Sequence, residues 1–444
     1  MVASSSPPRR PVLPIAPAQP ARPAGRPAPV RGPWRPARLL TAPHRLGFFL
    51  AMCVLVAGSG WWLLVQESRV HGVPQLHYAV LPTLTHAAVM VLGFMPLFFA
   101  GFLFTAGPRW LDVEPYPTQR LLAPLGLQAG GWLLWLIGAH AGLVWAALGL
   151  AAVCAGLAWM MGLFWRLILT SPATDRLHAL VIGVAGIVGT LCVAGIGIAL
   201  LTEQPALALA LVRTALWGFI AATFASVAHR MIPFFTSSVL PLIEVWRPFW
   251  VLWLMLGVCG FEVLAVWVDF AAPAAHAWPA WTGVVIVVEL LTGGVLLWLA
   301  VVWGLVQSLK IRLLAMLHVG FVWLALALLY SAASQALWLA TGQAVLGLGA
   351  LHALAMGFLG STMIAMVTRV SCGHSGRSLV ADNLAWGLFW ALQVAVGLRL
   401  VAAVQGMPAW LFGLAALAWT AVVTVWAVRY ASWYGRPRID GRPG

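Results

Sequence analysis

Charged residues are scarce in this 444-residue sequence. Asp, Glu, Lys and Arg make up 8% of it, whereas a typical soluble domain has about 25%. Hydrophobic residues make up 62%, which leaves too little polar surface to cover a soluble fold. The composition therefore excludes a soluble globular protein and indicates a chain whose surroundings are mostly lipid.

Cysteine is also scarce, with 5 residues and no CxxC pair. Cys53, Cys154, Cys192 and Cys259 lie in apolar runs, and Cys372 follows one of these runs. Structural zinc sites and iron–sulfur clusters need several closely spaced cysteines, and a disulfide framework needs a pattern of paired ones. We therefore expect none of these three features.

Long apolar runs recur along the chain, and each could cross a membrane as a helix. About 20 apolar residues, at a rise of about 1.5 Å each, span a hydrocarbon core of about 30 Å. The runs lack the alternation of barrel strands, so we predict an all-α, polytopic integral membrane protein with about twelve transmembrane helices. The predicted spans cover residues 46–65, 84–107, 121–138, 143–167, 179–201, 206–228, 249–270, 280–306, 313–338, 345–368, 384–404 and 410–428.

Acidic residues are fewer than basic ones, since 11 Asp and Glu stand against 25 Lys and Arg and give a net charge of +14. Such a charge could indicate nucleic-acid binding, but its distribution argues against that. When the spans alternate in direction, most arginines fall on one side. Only Arg69 and Arg399 fall opposite, and Arg213 lies inside a span. The positive-inside rule makes the arginine-rich side cytoplasmic, which places both termini in the cytoplasm, in a bacterial-type inner membrane.

The chain divides into three segments. Residues 1–43 are rich in Pro, Ala and Arg and poor in large apolar side chains, so we predict a disordered basic cytoplasmic tail. Residues 44–430 contain the twelve spans, and residues 431–444 form a second, short basic tail.

Two histidines occupy similar depths in two spans. His86 lies a turn inside the second span and His352 about two turns inside the tenth, and both spans run inward from the outer face. Met90 and Met356 follow four residues later, on the same helix faces. Imidazole is the commonest metal ligand, so the pair could bind one haem iron axially or share a copper ion, and thioether sulfur suits Cu(I). The alternative is a histidine hydrogen-bonded across helices beside a packing methionine.

A second group of histidines lies near the cytoplasmic face. His318 lies inside the ninth span and is the strongest candidate ligand of this group, and His374 follows the tenth span. His229 ends the sixth span, while His178 starts the fifth and is expected to be solvated. A protein with two metal centres would have histidines at two depths in the membrane, as this sequence has.

Three ionisable residues, Arg213, Glu262 and Glu289, lie within spans six to eight, in the predicted outer half of the membrane. Such groups are costly at membrane depth. They could neutralise one another as an ion pair beside a protonated acid, or they could hold cofactor carboxylates or pass protons. Both interpretations stay open at this stage.

Four separated segments carry motifs of one known family. They are residues 101–110 (GFLFTAGPRW), 230–236 (RMIPFFT), 317–323 (LHVGFVW) and 351–379 (LHALAMGFLGSTMIAMVTRVSCGHSGRSL). In this order they resemble motifs of the NnrS family, which comprises haem- and copper-containing bacterial membrane proteins linked to nitric oxide metabolism. The resemblance covers about residues 44–430. It implies haem and secondarily copper as cofactors, and nitric oxide or a related small molecule as the ligand.

The sequence departs from the family pattern in the second span. Where the family usually has His-Ala-His-Glu-Met, this chain has His86, Ala87, Ala88, Val89 and Met90. One histidine and the glutamate are missing, which implies an altered outer site.

Arginines near the cytoplasmic ends of the spans complete the candidate sites. Guanidinium groups pair bidentately with carboxylates, so Arg369, Arg377 and Arg230 could hold an anionic cofactor group beside His374, or they could only set the orientation. The candidate cofactor-binding residues are therefore His86, His352, His318, Arg230, Arg369 and Arg377. The candidate metal ligands are His86, His352, His318, His374, Met90 and Met356.

These observations predict a haem-binding inner-membrane protein that acts in nitric oxide metabolism or in protection against nitrosative stress. A haem-copper oxidase or nitric oxide reductase-like enzyme would also have about twelve spans, but its adjacent histidine pair is missing from this sequence. A proton- or ion-coupled transporter is the third class, with Arg213, Glu262 and Glu289 as its pathway. Whether the protein catalyses a reaction stays open.

Overall fold

The computed structural model of the protein describes residues 32–240, 242–272 and 278–442. In these ranges the chain is helical and forms no strand, and twelve helices are long and apolar enough to cross a membrane. In chain order they are α1 Pro43–His71, α2 Pro82–Leu111, α3 Gln119–Ala141, α4 Leu143–Thr170, α5 Leu177–Leu201, α6 Pro205–Val239, α7 Phe249–Ala271, α8 Pro279–Val302, α9 Arg312–Thr341, α10 Gly349–His374, α11 Asn383–Ala402 and α12 Trp410–Tyr434. The predicted all-helical fold and the number of spans are confirmed.

Proline and glycine set several helix ends. Proline begins α1, α2, α6 and α8, where its missing N–H removes no hydrogen bond from the helix. Gly142, with a φ of 143°, is the single residue between α3 and α4. The two helices then pack closely, since a Cβ on Gly131 would lie 2.6 Å from the carbonyl oxygen of Gly149. Two separate spans therefore fit where the sequence leaves almost no loop.

The two ends of the described chain lie at one face of the bundle. The backbone N–H of Arg35 donates to the carbonyl oxygen of Gly435 at 2.8 Å. Arg45, buried at the start of α1, donates from Nη1 to the carbonyl oxygens of Tyr434 and Arg436, each at 2.9 Å. We call this end of the bundle the terminal face and the opposite end the far face.

Each predicted tail contains structured residues where it adjoins the membrane domain. Residues 36–41 form a short 3₁₀-helix in which Leu39 is buried, and Nε1 of Trp34 donates to the carbonyl oxygen of Ala431 at 3.2 Å. At the other end, the N–H of Ile439 donates to the carbonyl oxygen of Ser375 at 3.1 Å. The folded part thus extends beyond the predicted boundaries at both ends. Residues 1–31 lie outside the described residues, so disorder there stays a prediction.

Three spans that start at the far face are interrupted along their length. The second span consists of the helices Pro82–Leu92 and Met95–Leu111, which are separated at Gly93. The sixth contains the π-helical segment Leu216–Ala221, and the tenth contains Ala353–Gly360. Short π-helical segments often occur at functional sites. All three spans line the cavity that the next section describes.

Candidate functional site

A cavity of about 570 Å³ lies among α1, α2, α6, α10, α11 and α12. Its lining residues come from the first turns of α2 and α10 and the last turns of α1 and α11, which places it toward the far face. We call it the far-face cavity. Small-molecule and cofactor sites typically have volumes of about 300–1,000 Å³ and mostly apolar walls. The volume of this cavity falls within that range, and its lining is mostly apolar.

His86 and His352 both line the far-face cavity, together with Met90 and Met356. The imidazoles come from separate spans, α2 and α10. The structure therefore brings together the four candidate ligands that the sequence analysis placed at one depth.

The ring of His352 is held by its own helix. Its Nδ1 lies 2.9 Å from the carbonyl oxygen of Leu348. A carbonyl only accepts, so Nδ1 carries the hydrogen and Nε2 keeps its lone pair. A metal-bound histidine usually has this second hydrogen bond, which fixes the tautomer and the ring orientation. His352 thus has a nitrogen available for a ligand.

The ring of His86 is held by stacking. Trp62 packs against it with ring centroids 3.9 Å apart and planes inclined by 19°. Nδ1 of His86 is buried and has no hydrogen-bond partner among the described residues. Trp62 was not recognised from the sequence, because a tryptophan in an apolar span gives no signal of a functional role.

Three arginines, Arg69, Arg213 and Arg399, also line the far-face cavity, and no acidic side chain is among the described residues of its wall. The guanidinium carbon of Arg69 lies 5.3 Å from the ring centroid of Trp62, and that of Arg399 lies 4.9 Å from Phe412. Nη1 of Arg399 is buried and has no hydrogen-bond partner in the part of the chain that the structure describes. In the sequence, these arginines stood out because they do not fall on the predicted cytoplasmic side, where most of the arginines lie.

The two glutamates within spans lie away from this cavity. The carboxyl groups of Glu262 and Glu289 hydrogen-bond to each other, and Glu289 also bonds to Ser331. A bond between two carboxyl groups requires that one of them carries the proton. Arg213, which the sequence offered as their partner, lines the far-face cavity instead.

At the terminal face, His178 and His229 are hydrogen-bonded to each other. Nε2 of His229 lies 3.1 Å from the carbonyl oxygen of Pro248, so this nitrogen donates. Its Nδ1 therefore accepts from Nε2 of His178, 2.9 Å away. The expectation that His178 is solvated is wrong, because it packs against His229 and Phe249 and is only 2% exposed.

His318 and His374 lie apart from the far-face cavity. Nε2 of the buried His318 donates to Oγ1 of Thr236 at 2.9 Å, and its Nδ1 has no partner among the described residues. His374 packs against His44 with ring centroids 4.4 Å apart. His44 was not recognised from the sequence. Metal ligation by these terminal-face histidines stays a prediction.

The three candidate arginines of the terminal face lie against rings on three different helices. Nη1 of Arg230 also lies 3.9 Å from Oδ2 of Asp175. The pairs are Arg369 with Phe235, Arg377 with Trp433 and Arg230 with Trp110, with guanidinium carbon to centroid distances of 4.0, 3.9 and 5.0 Å. The anionic-group site that the sequence analysis predicted for these arginines beside His374 stays a prediction.

The described residues that line the far-face cavity include methionines, but no Cys, Asp or Glu, as possible further ligands beside the two histidines. In the described part of the chain, no three His, Cys, Asp or Glu side chains are grouped so that they could hold a metal ion. Copper or zinc takes three or four ligands from protein, whereas haem takes only its axial ligands. His86 and His352 alone would suit haem, whereas a copper ion would also need Met90 and Met356.

Twelve apolar helices around a cofactor-sized cavity define an all-helical, multi-pass membrane protein. Residues 38–438 match the family model described as NnrS protein. The chain therefore belongs to the NnrS family, and the resemblance drawn from its motifs is confirmed over nearly its whole length. No match is found among curated proteins.

Proposed function

We propose that the protein binds haem in the far-face cavity through His86 and His352, and that it acts in nitric oxide metabolism or in protection against nitrosative stress. The observation that carries the haem assignment is that two imidazoles from separate spans line one space of about 570 Å³. Two donors are enough for haem, because the porphyrin supplies the other four. Membership of the NnrS family supports the role in nitric oxide metabolism.

The residues around the two histidines prepare them for this task. The bond from His352 to Leu348 leaves Nε2 free, and the indole of Trp62 limits the rotation of His86. Both effects reduce the ordering that ligation would otherwise require. When bound, haem supplies an iron that exchanges electrons or takes a small ligand such as nitric oxide.

Copper is the second candidate cofactor. Met90 and Met356 line the same cavity as the two histidines, and a mixed sulfur and imidazole set suits Cu(I). A single ion would leave most of a 570 Å³ cavity unfilled, which favours haem as the main occupant.

The terminal face would lie in the cytoplasm of a bacterial inner membrane. It carries Arg35, Arg45, Arg369 and Arg377, and the positive-inside rule favours this orientation. The far-face cavity would then lie on the periplasmic side. A reporter enzyme that works only in the cytoplasm, fused to the C-terminus, tests this orientation, and an inactive but intact fusion would contradict it.

The absorption spectrum of the purified, haem-supplied protein tests the haem assignment. We expect a Soret band in the wild type, and the same spectral change in His86→Ala and His352→Ala. The double variant should be no worse than either single variant, because the two groups act as a unit. His140→Ala is the control, since His140 bonds to Trp61 at 2.7 Å and does not line the cavity.

Wild-type spectra in both single variants would contradict this ligation. The variants His318→Ala and His374→Ala would then test the terminal-face histidines in the same assay. A protein that stays colourless after haem is supplied would favour proton- or ion-coupled transport, the second candidate function. The carboxyl pair of Glu262 and Glu289 is the observation in favour of transport.

A further inference from the structure

The arginines of the far-face cavity have no part in the ligation proposed above. Arg69, Arg213 and Arg399 give the cavity a formal charge of +3, with no carboxylate among the described residues that line it. A cation within membrane-spanning helices normally pairs with an acid or faces water, because an uncompensated charge in apolar surroundings is unfavourable. The cavity therefore favours a ligand that carries negative charge.

Arg399 lines the same cavity as His86 and His352, and it enters from α11. Its guanidinium carbon packs 4.9 Å from the ring centroid of Phe412, and its buried Nη1 has no hydrogen-bond partner among the described residues. A guanidinium with an unused donor in the same cavity as both imidazoles would meet an anionic group on the molecule that they hold.

Arg69 and Arg213 reach the cavity from two other helices. Nη1 of Arg69 donates to Oε1 of Gln66 at 3.3 Å, and its guanidinium packs on Trp62, the indole that also stacks on His86. Arg69 thus has most of its five N–H donors to spare. Arg213 enters from α6, and no hydrogen bond or ion pair joins it to another described residue.

We propose that Arg69, Arg213 and Arg399 bind the carboxylates of the ligand in the far-face cavity, a proposal that rests on the haem assignment above. Guanidinium groups hold carboxylates through two parallel hydrogen bonds, which fix orientation as well as position. The apolar wall accommodates the ring, and the arginines select a ring that carries anionic groups. A neutral ring of the same size binds less well.

Binding of iron-free protoporphyrin IX and of its dimethyl ester tests the arginine proposal independently of iron ligation by the histidines. Neither compound has a metal for His86 or His352 to bind, and they differ in charge rather than in the ring. Their affinities can be measured by titrating the purified wild-type protein in detergent and following porphyrin fluorescence. We expect the diacid to bind about ten-fold more tightly or better, as one charge-assisted hydrogen bond would give.

Substitution of Arg399 tests the residue itself. Arg399→Gln should weaken binding of the diacid about ten-fold and leave binding of the ester unchanged. Arg399→Lys keeps the charge without the forked geometry, so its effect should be smaller. Arg120→Gln is the matched control, because Arg120 also stacks on a ring, 5.3 Å from Tyr116, but does not line the cavity.

Equal affinities of the wild type for diacid and ester would overturn the proposal, and so would an Arg399→Gln variant that weakens both equally. Titration with ferric protoporphyrin reports on the ligation separately, so a failed His assignment with a retained diacid preference leaves the arginine proposal standing. If no porphyrin binds, native mass spectrometry of the purified protein shows which anion, if any, is bound. Anionic phospholipid retained by the wild type and lost in Arg399→Gln would assign the arginines to a lipid phosphate and overturn the carboxylate assignment, as would the absence of any bound anion.

Discussion

His229 at the terminal face and the two histidines of the far-face cavity use their ring nitrogens differently. At the terminal face, His229 is bonded at both nitrogens, to His178 and to the backbone of Pro248. At the far face, His352 uses one nitrogen for a carbonyl of its own helix, and His86 makes no hydrogen bond to a described residue through Nδ1. All four histidines lie within apolar helices, so burial alone does not identify a ligand.

Arginines differ between the two faces in the same way. At the terminal face, Arg429 forms an ion pair with Asp382, and Arg230 lies near Asp175. The arginines of the far-face cavity have no acid on the cavity wall among the described residues. Arg230 and Arg429 thus have an acidic partner, and the arginines of the far-face cavity have none on its described wall. The histidines do not divide so cleanly, because Nδ1 of His178 and Nδ1 of His318 at the terminal face also have no partner among the described residues. The ion pairs stabilise the terminal face, and the cavity arginines, which face no acid among the described residues of its wall, support the proposal that the far face binds an anionic ligand.

The largest effect on stability should come from the terminal face, with His229→Ala. Its removal leaves the N–H of His178 and the carbonyl of Pro248 without partners in a buried place, which costs about 2–3 kcal/mol. We expect a lower midpoint of thermal unfolding in detergent and an unchanged haem spectrum. His71→Ala is the control, because its side chain is 65% exposed. A His229→Ala protein that loses haem but unfolds at the same temperature as the wild type would contradict the proposed difference between the two faces.

A smaller effect is expected at the far face from Trp62→Leu. A stacked aromatic pair contributes about 0.5–1.5 kcal/mol beyond its buried area, so haem affinity should fall about two- to ten-fold while thermal stability changes little. Trp61→Leu serves as control, because Trp61 is the neighbouring residue and does not line the cavity. Equal losses of haem affinity in both variants would show that Trp62 does not position His86.

The smallest effect is expected from Asp382→Asn at the terminal face. Burial alone would raise the pKa of Asp382, but hydrogen bonds from Ala385 and Arg429 lower it overall. The stabilisation is thus present above about pH 4, the pKa of an unfolded Asp, and is lost as the pH falls through the lower folded pKa. The side chain is 54% exposed, so we expect less than about 1 kcal/mol.

Asparagine caps a helix about as well as aspartate, so this variant removes the charge and keeps the cap. The wild type should be slightly more stable than Asp382→Asn at pH 7, and the difference should disappear near pH 3. Chemical unfolding at the two pH values measures it. A difference that persists at pH 3 would show that the cap, and not the charge, is responsible.

The sequence alone determined the twelve spans and the shared depth of His86 and His352. Both follow from local properties. In lipid a backbone satisfies its hydrogen bonds within one helix, so each span is visible in its own run of apolar residues. The constant helical rise then converts position in the chain into depth. Depth could therefore be compared between spans that lie far apart in sequence.

Only the tertiary structure decided which residues meet. Arg69 and Arg399 appeared in the sequence as exceptions to a topology rule, and Arg213 appeared as a partner for two glutamates, yet all three line one cavity. Trp62 gave no signal at all. The twelve apolar helices have many similar faces. Which helices become neighbours depends on close packing and hydrogen bonds between spans, and the sequence of a single span does not reveal these.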